Sequence, residues 1–269
     1  MVFKPFIVND ICESICHENF FTYYTICNIL FLEIDLMTGL ALRRARSNLG
    51  LSQVEAAARL GVSQPLLSLM EKGERAVTPA LAKKAVTKLL ATPELLPVAP
   101  DTRHNDEQLA SDLGALGYPG YAYLQGQARN PAEVLFDALD RRDLDARLVE
   151  ALPWLPLQYP NMDWYWLTTQ AKVHNRQNRL GFVVALASKV AKKDANRNVA
   201  KRLSEVLKTL EEARLAKTDT LCQESWPPSQ RKFAHQQRSA LAAHWKLDTR
   251  LREENLTPSV PSHSAAIKP

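Results

Sequence analysis

Apolar residues along the chain recur at spacings of three and four far more often than they alternate, which predicts helices rather than strands. Leu42, Ala45 and Leu49 mark one face of a first helix, with Arg43 and Arg44 turned outward and Gly50 ending it. Ser52, with Glu55 three residues on, has the capping-box spacing for a second helix from Gln53 to Leu60. Its Ala56, Ala57 and Ala58 let a neighbouring helix approach closely. Gly61 and Val62 form a turn, Ser63 caps a third helix running from Gln64 to Lys72, and Gly73 suits a left-handed stop. Thr78 and Pro79 open a fourth helix with Leu81, Ala85 and Leu89 inward.

Beyond this unit the pattern breaks. Pro93, Pro97 and Pro100 interrupt any helix, and the cluster Gly114, Gly117, Pro119, Gly120 supplies turns, so residues 93–130 are expected to be a linker. Asn130 and Pro131 then look like an N-cap and N1 pair, with Val134, Leu135, Ala138 and Leu139 on one face. Amphipathic stretches follow at Leu144 to Leu152, Asp163 to His174, Leu180 to Lys192, Val199 to Ala216 and Ser229 to Trp245. The Val-Ile-Tyr alternation that marks strands is absent. The expected fold class is all-α: a four- or five-helix unit over 39–92 and a helical C-terminal domain over 131–256. The Pro- and Ser-rich tail, 257–269, is expected to be disordered.

Composition narrows the class. In 269 residues, 46% are hydrophobic and 23% charged, as in ordinary soluble folded chains. No stretch approaches the ~18 uninterrupted apolar residues that a spanning helix needs, so no membrane partner is expected. With only nine Gly, and neither GxGxxG nor GxxxxGK[ST], phosphate-cradling loops are not expected.

The net charge of +5 is unevenly placed. Residues 1–38 hold one base and five acids, three of the four Cys and five of the eight Phe. Acids follow Lys4 closely, unlike the basic start of a secretory signal, and Glu33 and Asp35 end the short apolar run from Ile26. Met37 lies just before the next unit, so residues 1–36 are expected to be a poorly ordered extension, the product of an upstream start. Residues 39–92 hold nine bases and three acids, a surplus of six. That surplus, on two short helices joined by a tight Gly turn, points to a helix-turn-helix and to double-stranded DNA as partner.

The run LSQVEAAARLGVSQPLLSLMEKGER, Leu51 to Arg75, resembles the Cro/C1-type (Xre-like) repressor family. The resemblance covers about 55 residues, and positions with different physical jobs match together. It implies a compact helical bundle that binds operators, usually as a dimer. It also implies that Gln53 holds a phosphate, that Ser63, Gln64 and Pro65 lie at base edges, and that Lys72 and Arg75 clamp backbone, with Arg43 on the same basic face. Arg46 and Glu71 match an internal ion pair that is scaffold rather than readout. Leu66 and Leu69 depart from the pattern, standing where polar base-reading side chains are common. A leucine touches a thymine methyl but offers no donor or acceptor, which leaves Gln64 as the main direct reader, suited to adenine N6 and N7.

The C-terminal domain offers less chemistry. Trp154, Trp164, Trp166, Trp226 and Trp245 are available for a core, and the run Trp164, Tyr165, Trp166 fits core better than an aromatic ligand site. The basic run Lys172, His174, Arg176, Arg179 fits a solvated helix face, with an extended DNA footprint as the alternative. His235 and His244 are nine apart, not the i, i+4 of a zinc protease, and His174 has no carboxylate close in sequence. Cys12, Cys16, His17 and Cys27 have only a loose C-x3-C spacing for zinc. No enzyme, cofactor or metal site is therefore expected, and the lone Cys222 fits a reducing cytoplasm.

The chain is thus expected to be a cytoplasmic, nucleoid-associated bacterial or phage regulator, a repressor acting as a homodimer. Its recognition helices would enter major grooves about 34 Å apart. Its C-terminal domain would dimerise, or bind a protein or small ligand. The alternatives are an antitoxin that represses its own operon and neutralises a toxin through residues 131–256, an enzyme with an attached reader, and an adaptor whose helix-turn-helix has lost DNA.

Overall fold

A computed structural model describes residues 38–98 and 105–256. The chain divides between Leu95 and Leu96 into two units. The N-terminal extension with Cys12, Cys16, His17 and Cys27, and the tail 257–269, lie outside the described residues.

In the first unit, α1 runs over residues 38–48 and buries Leu42 and Ala45 while Arg43 and Arg44 stay exposed. Helix α2, Gln53–Leu60, begins at a complete capping box: the Ser52 hydroxyl oxygen accepts from the Glu55 N–H, and the Glu55 carboxylate accepts from the Ser52 N–H. These contacts, the Ser52 N–H first, hold the Glu55 carboxyl below the usual carboxylate range. Gly61 ends α2 at φ +73°, a left-handed conformation that a side chain disfavours, and this lets the chain turn within two residues. Ser63 then caps α3, Gln64–Glu71, through the Leu66 N–H, with Pro65 in its first turn. Thr78 caps α4, Pro79–Lys88, in the same way. Leu42, Leu60, Leu67, Ala85 and Leu89, all fully buried, form the centre of one small core.

In the second unit, the described residues 105–130 of the expected linker are built into the fold. Helix α5, Asp106–Ala115, is capped by Asn105 and sinks Leu109 and Leu113 into the core, followed by Leu116 and Tyr118. Pro and Gly punctuate this stretch, but they mark the ends of its elements; the i, i+4 and i+7 spacing of the leucines decides that it packs. The domain expected over 131–256 therefore starts earlier, and the first unit ends at Leu95 after a short 3₁₀ turn, Pro93–Leu95.

Helix α6, Pro131–Asp140, has the expected Asn130 cap, and the Asn130 amide also donates to the Leu96 carbonyl at 2.6 Å. Short helices α7, Ala146–Ala151, and α8, Trp154–Gln158, lead to α9, Trp164–Val173, capped by Asp163. The core is organised by α10, Gln177–Lys193, packed along α11, Arg197–Glu212. Leu180, Phe182, Val183 and Val184 of α10 are fully buried.

The expected single helix from Ser229 to Trp245 is two: α12, Pro228–Gln237, and α13, Ala240–His244, whose own cap is Ser239. A serine accepting from the Ala242 N–H competes with continuation of the first helix. Before and after them lie two short strands, β1, Asp219–Thr220, pairing in parallel with β2, Leu247–Asp248, and an isolated bridge joins Asp143 to Gln223. Gly181 of α10 gives Trp245 its place, because a Cβ there would overlap the buried indole.

Candidate nucleic-acid interface

Helices α2 and α3 pack against each other around the two-residue turn, and α3 carries most of the residues expected to meet DNA. Ser63 and Pro65 are exposed and Gln64 is half-buried at its start. Leu66 is half-buried; Leu69, one turn on, is 40% exposed. Lys72 caps the helix C-terminus, and Arg75 follows. The side chains of Lys72, Arg75 and Arg43 are exposed and make no hydrogen bond or ion pair among the described residues, which leaves three cations for an outside anion.

Beneath this surface runs a chain of hydrogen bonds. Arg46 of α1 donates through Nε to Glu71 Oε1 at 2.6 Å, through Nη2 to Oε2 at 3.0 Å, and through Nη1 to the Leu51 carbonyl at 2.8 Å. Glu71 is 4% exposed, so its charge is compensated by a bidentate partner. The bond to Glu71 in turn holds the Arg46 guanidinium above its ordinary value, against the opposing effect of burial. Gln53 of α2 then donates from Nε2 to Glu71 Oε2 at 2.9 Å, and Gln64 donates from Nε2 to Gln53 Oε1 at 2.7 Å.

The order of these bonds fixes which way each amide points. A carboxylate accepts and never donates, so Gln53 must turn its NH2 to Glu71. Its oxygen is then left for Gln64, which must supply an N–H. Gln64 keeps its own carbonyl oxygen and one N–H for the outside, the acceptor and donor pair that adenine N6 and N7 require. Gln53, expected as a phosphate contact, thus orients Gln64 from below, keeping one Nε2 hydrogen for a further acceptor. Ser63 likewise has a structural duty as the cap of α3. Nothing local in the sequence pointed to this relay; its members are 25, 18 and 11 residues apart. The one available signal was a glutamine at the first position of both α2 and α3.

The basic run of the second unit is neither a solvated face nor a DNA surface throughout. Lys172 and His174 are exposed, but Arg179 is wholly buried, donating to Asp219 at 2.7 Å and 3.1 Å, to Glu224 at 2.9 Å and to the carbonyls of Leu139 and Arg141. Burial opposes its charge, yet the bonds to Asp219 and Glu224 hold the guanidinium above its ordinary value. Arg176 meets Asp140 at 3.1 Å.

The fold also brings carboxylates to the histidines. Asp140 lies 3.3 Å from His174, Asp248 2.8 Å from His235 and Glu211 2.8 Å from His244. Each is a pair, and among the described residues no group of three or more metal-ligating side chains forms. Cys222 is buried, its thiol pointing at the Ala138 carbonyl at 3.4 Å, and burial pushes it up to about 11.

Residues 39–98, just over a fifth of the chain, match the family model of a helix-turn-helix domain. The first unit is therefore a helix-turn-helix domain, consistent with a Cro/C1-type segment, and it supports a DNA-binding regulator in general. No curated protein and no solved structure matches the chain. Among the described residues, no helix is long and apolar enough to cross a membrane.

Proposed function

We propose that the first unit reads the major groove of double-stranded DNA through α3, and that the protein is a sequence-specific repressor acting as a homodimer. The observation that carries this reading is the relay from Arg46 to Gln64, which holds the Gln64 amide in the orientation an adenine edge requires while unpaired Lys72, Arg75 and Arg43 flank it. Leu66 and Leu69 beside it supply apolar contact to thymine methyl groups. Two copies would place their α3 helices about 34 Å apart on a palindromic site, with residues 96–256 holding the copies together. No catalytic step is assigned to the chain.

The test begins with the sites protected on genomic DNA by the full chain. On the strongest of them, Gln64→Ala is expected to lose the ~1–3 kcal/mol of discrimination that a bidentate pair supplies, while binding random DNA as before. Lys72→Ala is expected to weaken both alike and to reduce the slope of log affinity against log salt by about one. Equal losses on specific and random DNA for Gln64→Ala would contradict base reading.

A further inference from the structure

With Arg176 and Arg179 compensated by carboxylates, the uncompensated charge of the second unit lies elsewhere. Between Trp226 and Arg252 there are six Lys and Arg and one acid, Asp248, with Glu253 and Glu254 following. Asp248 is taken up by His235 at 2.8 Å and Arg238 at 3.3 Å. Arg231 donates to the carbonyls of Trp226 and Glu224, and Arg252 to that of Gln237. The side chains of Arg250 and Lys232 make no hydrogen bond or ion pair among the described residues.

Arg250 stands over the Trp226 ring, 6.0 Å from its centre. Together with Phe233, which is 51% exposed, and with Ser229 and Gln230 of α12, these two residues line an open cleft of about 360 Å³. Phe233 stands half in water beside the half-buried Trp226, and Arg250, whose contact among the described residues is that ring, adds a charge to the same rim, so one small surface offers both flat faces and a cation. The flat face of a nucleobase stacks on either ring whatever its sequence, and a guanidinium grips phosphate through two parallel N–H donors. A paired duplex hides its base faces in the stack. An acidic peptide would meet the cation but offers few flat faces.

We propose that this cleft binds a nucleobase together with its phosphate, the base on Trp226 and Phe233 and the phosphate at Arg250. The unit could be a free nucleotide or an unpaired nucleotide within a strand. Titration of the full chain separates these sources, with a labelled oligothymidylate of about twelve nucleotides followed by anisotropy in one arm and UMP or AMP followed by tryptophan quenching in the other. Binding in the oligonucleotide arm alone assigns the site to a strand, and binding of the mononucleotide with comparable affinity assigns it to a free nucleotide.

In whichever arm binds, Phe233→Ser and Arg250→Gln should each weaken affinity about tenfold, in line with the stacking energies of single-strand sites. Both side chains are exposed, so neither variant disturbs the core. Both should keep wild-type affinity for duplex DNA, which Lys72→Ala weakens, so failure of this site is distinguishable from failure of the groove-reading role. Absence of binding in both arms, unchanged affinity in both variants, or displacement by polyglutamate as effective as by nucleotide would overturn the proposal.

Discussion

Arg46 in the first unit and Arg179 in the second both sit on helices and are both clamped by carboxylates from distant parts of the chain. The Arg46 side chain keeps 15% of its surface and Arg179 keeps none. Around Arg179 every direction is closed: Asp219 and Glu224 on one side, the carbonyls of Leu139 and Arg141 on another. Its work ends inside the core, joining α10 to β1 and to the end of α6. Around Arg46 one direction is open, because the second oxygen of Glu71 also accepts from Gln53, and the chain of donors continues to the surface at Gln64. The same ion-pair chemistry therefore secures a fold in one unit and sets an outward-facing donor and acceptor in the other. The difference lies in whether the carboxylate has a neutral amide as its next neighbour.

The largest test of that contrast is Arg179→Met, which takes the buried guanidinium from Asp219 and Glu224 and leaves them only the more exposed Arg176 and Arg142. Removing one member of a buried pair costs about 3–5 kcal/mol, so the urea midpoint of the second unit should fall accordingly. A midpoint that does not move would mean that Arg176, Arg142 and the water at these partly exposed carboxylates compensate the loss of Arg179. Next comes Gly181→Ala, which forces a methyl group against the Trp245 indole. A loss of about 1–3 kcal/mol is expected from overpacking, read from the same denaturation curve.

In the first unit, Glu71→Gln is expected to act on specificity before stability. A glutamine presents either an oxygen or an NH2, so Gln53 and Gln64 lose their enforced orientation. Discrimination between preferred and random DNA should drop several-fold, with random-DNA affinity retained. Preserved discrimination would mean that packing alone orients Gln64. The smallest effect concerns Cys222. A raised thiol value means that the folded state holds its proton while the unfolded state releases it, so this residue favours unfolding as pH rises from about 9 to about 11. At pH 8 the native thiol should resist alkylation and should react only under denaturant.

Much of the helical architecture was legible because its causes are local. Ser52 with Glu55, Ser63, Thr78, Asn130 and Asp163 each stand within three residues of the backbone groups they cap. Leucines at helical spacing then say which face turns inward. The stretch 105–118 is masked by its surroundings, since Pro100 before it, Pro119 after it and its own Gly114 and Gly117 read as turn, while Leu109, Leu113 and Leu116 form only a short apolar face. The break at Ser239 and the two-residue strands depend on tertiary contacts and left no periodic trace. The site divides in the same way: the exposed cations were readable from charge and motif, whereas the role of Gln53 depends on Glu71, eighteen residues away.

Glu71 joins three helices at one point, receiving Arg46 from α1 and Gln53 from α2 while belonging to α3. Under the proposed reading, attachment to DNA and recognition of its sequence are therefore separately vulnerable. If α1 frays, the cations that follow α3, Lys72 and Arg75, would still adhere to any phosphate backbone, but the glutamine at its start would no longer be aimed. Such a molecule would be a trespasser on the chromosome, occupying sites without distinguishing them. Docking of the first helix would in this sense be the licence under which the third one reads.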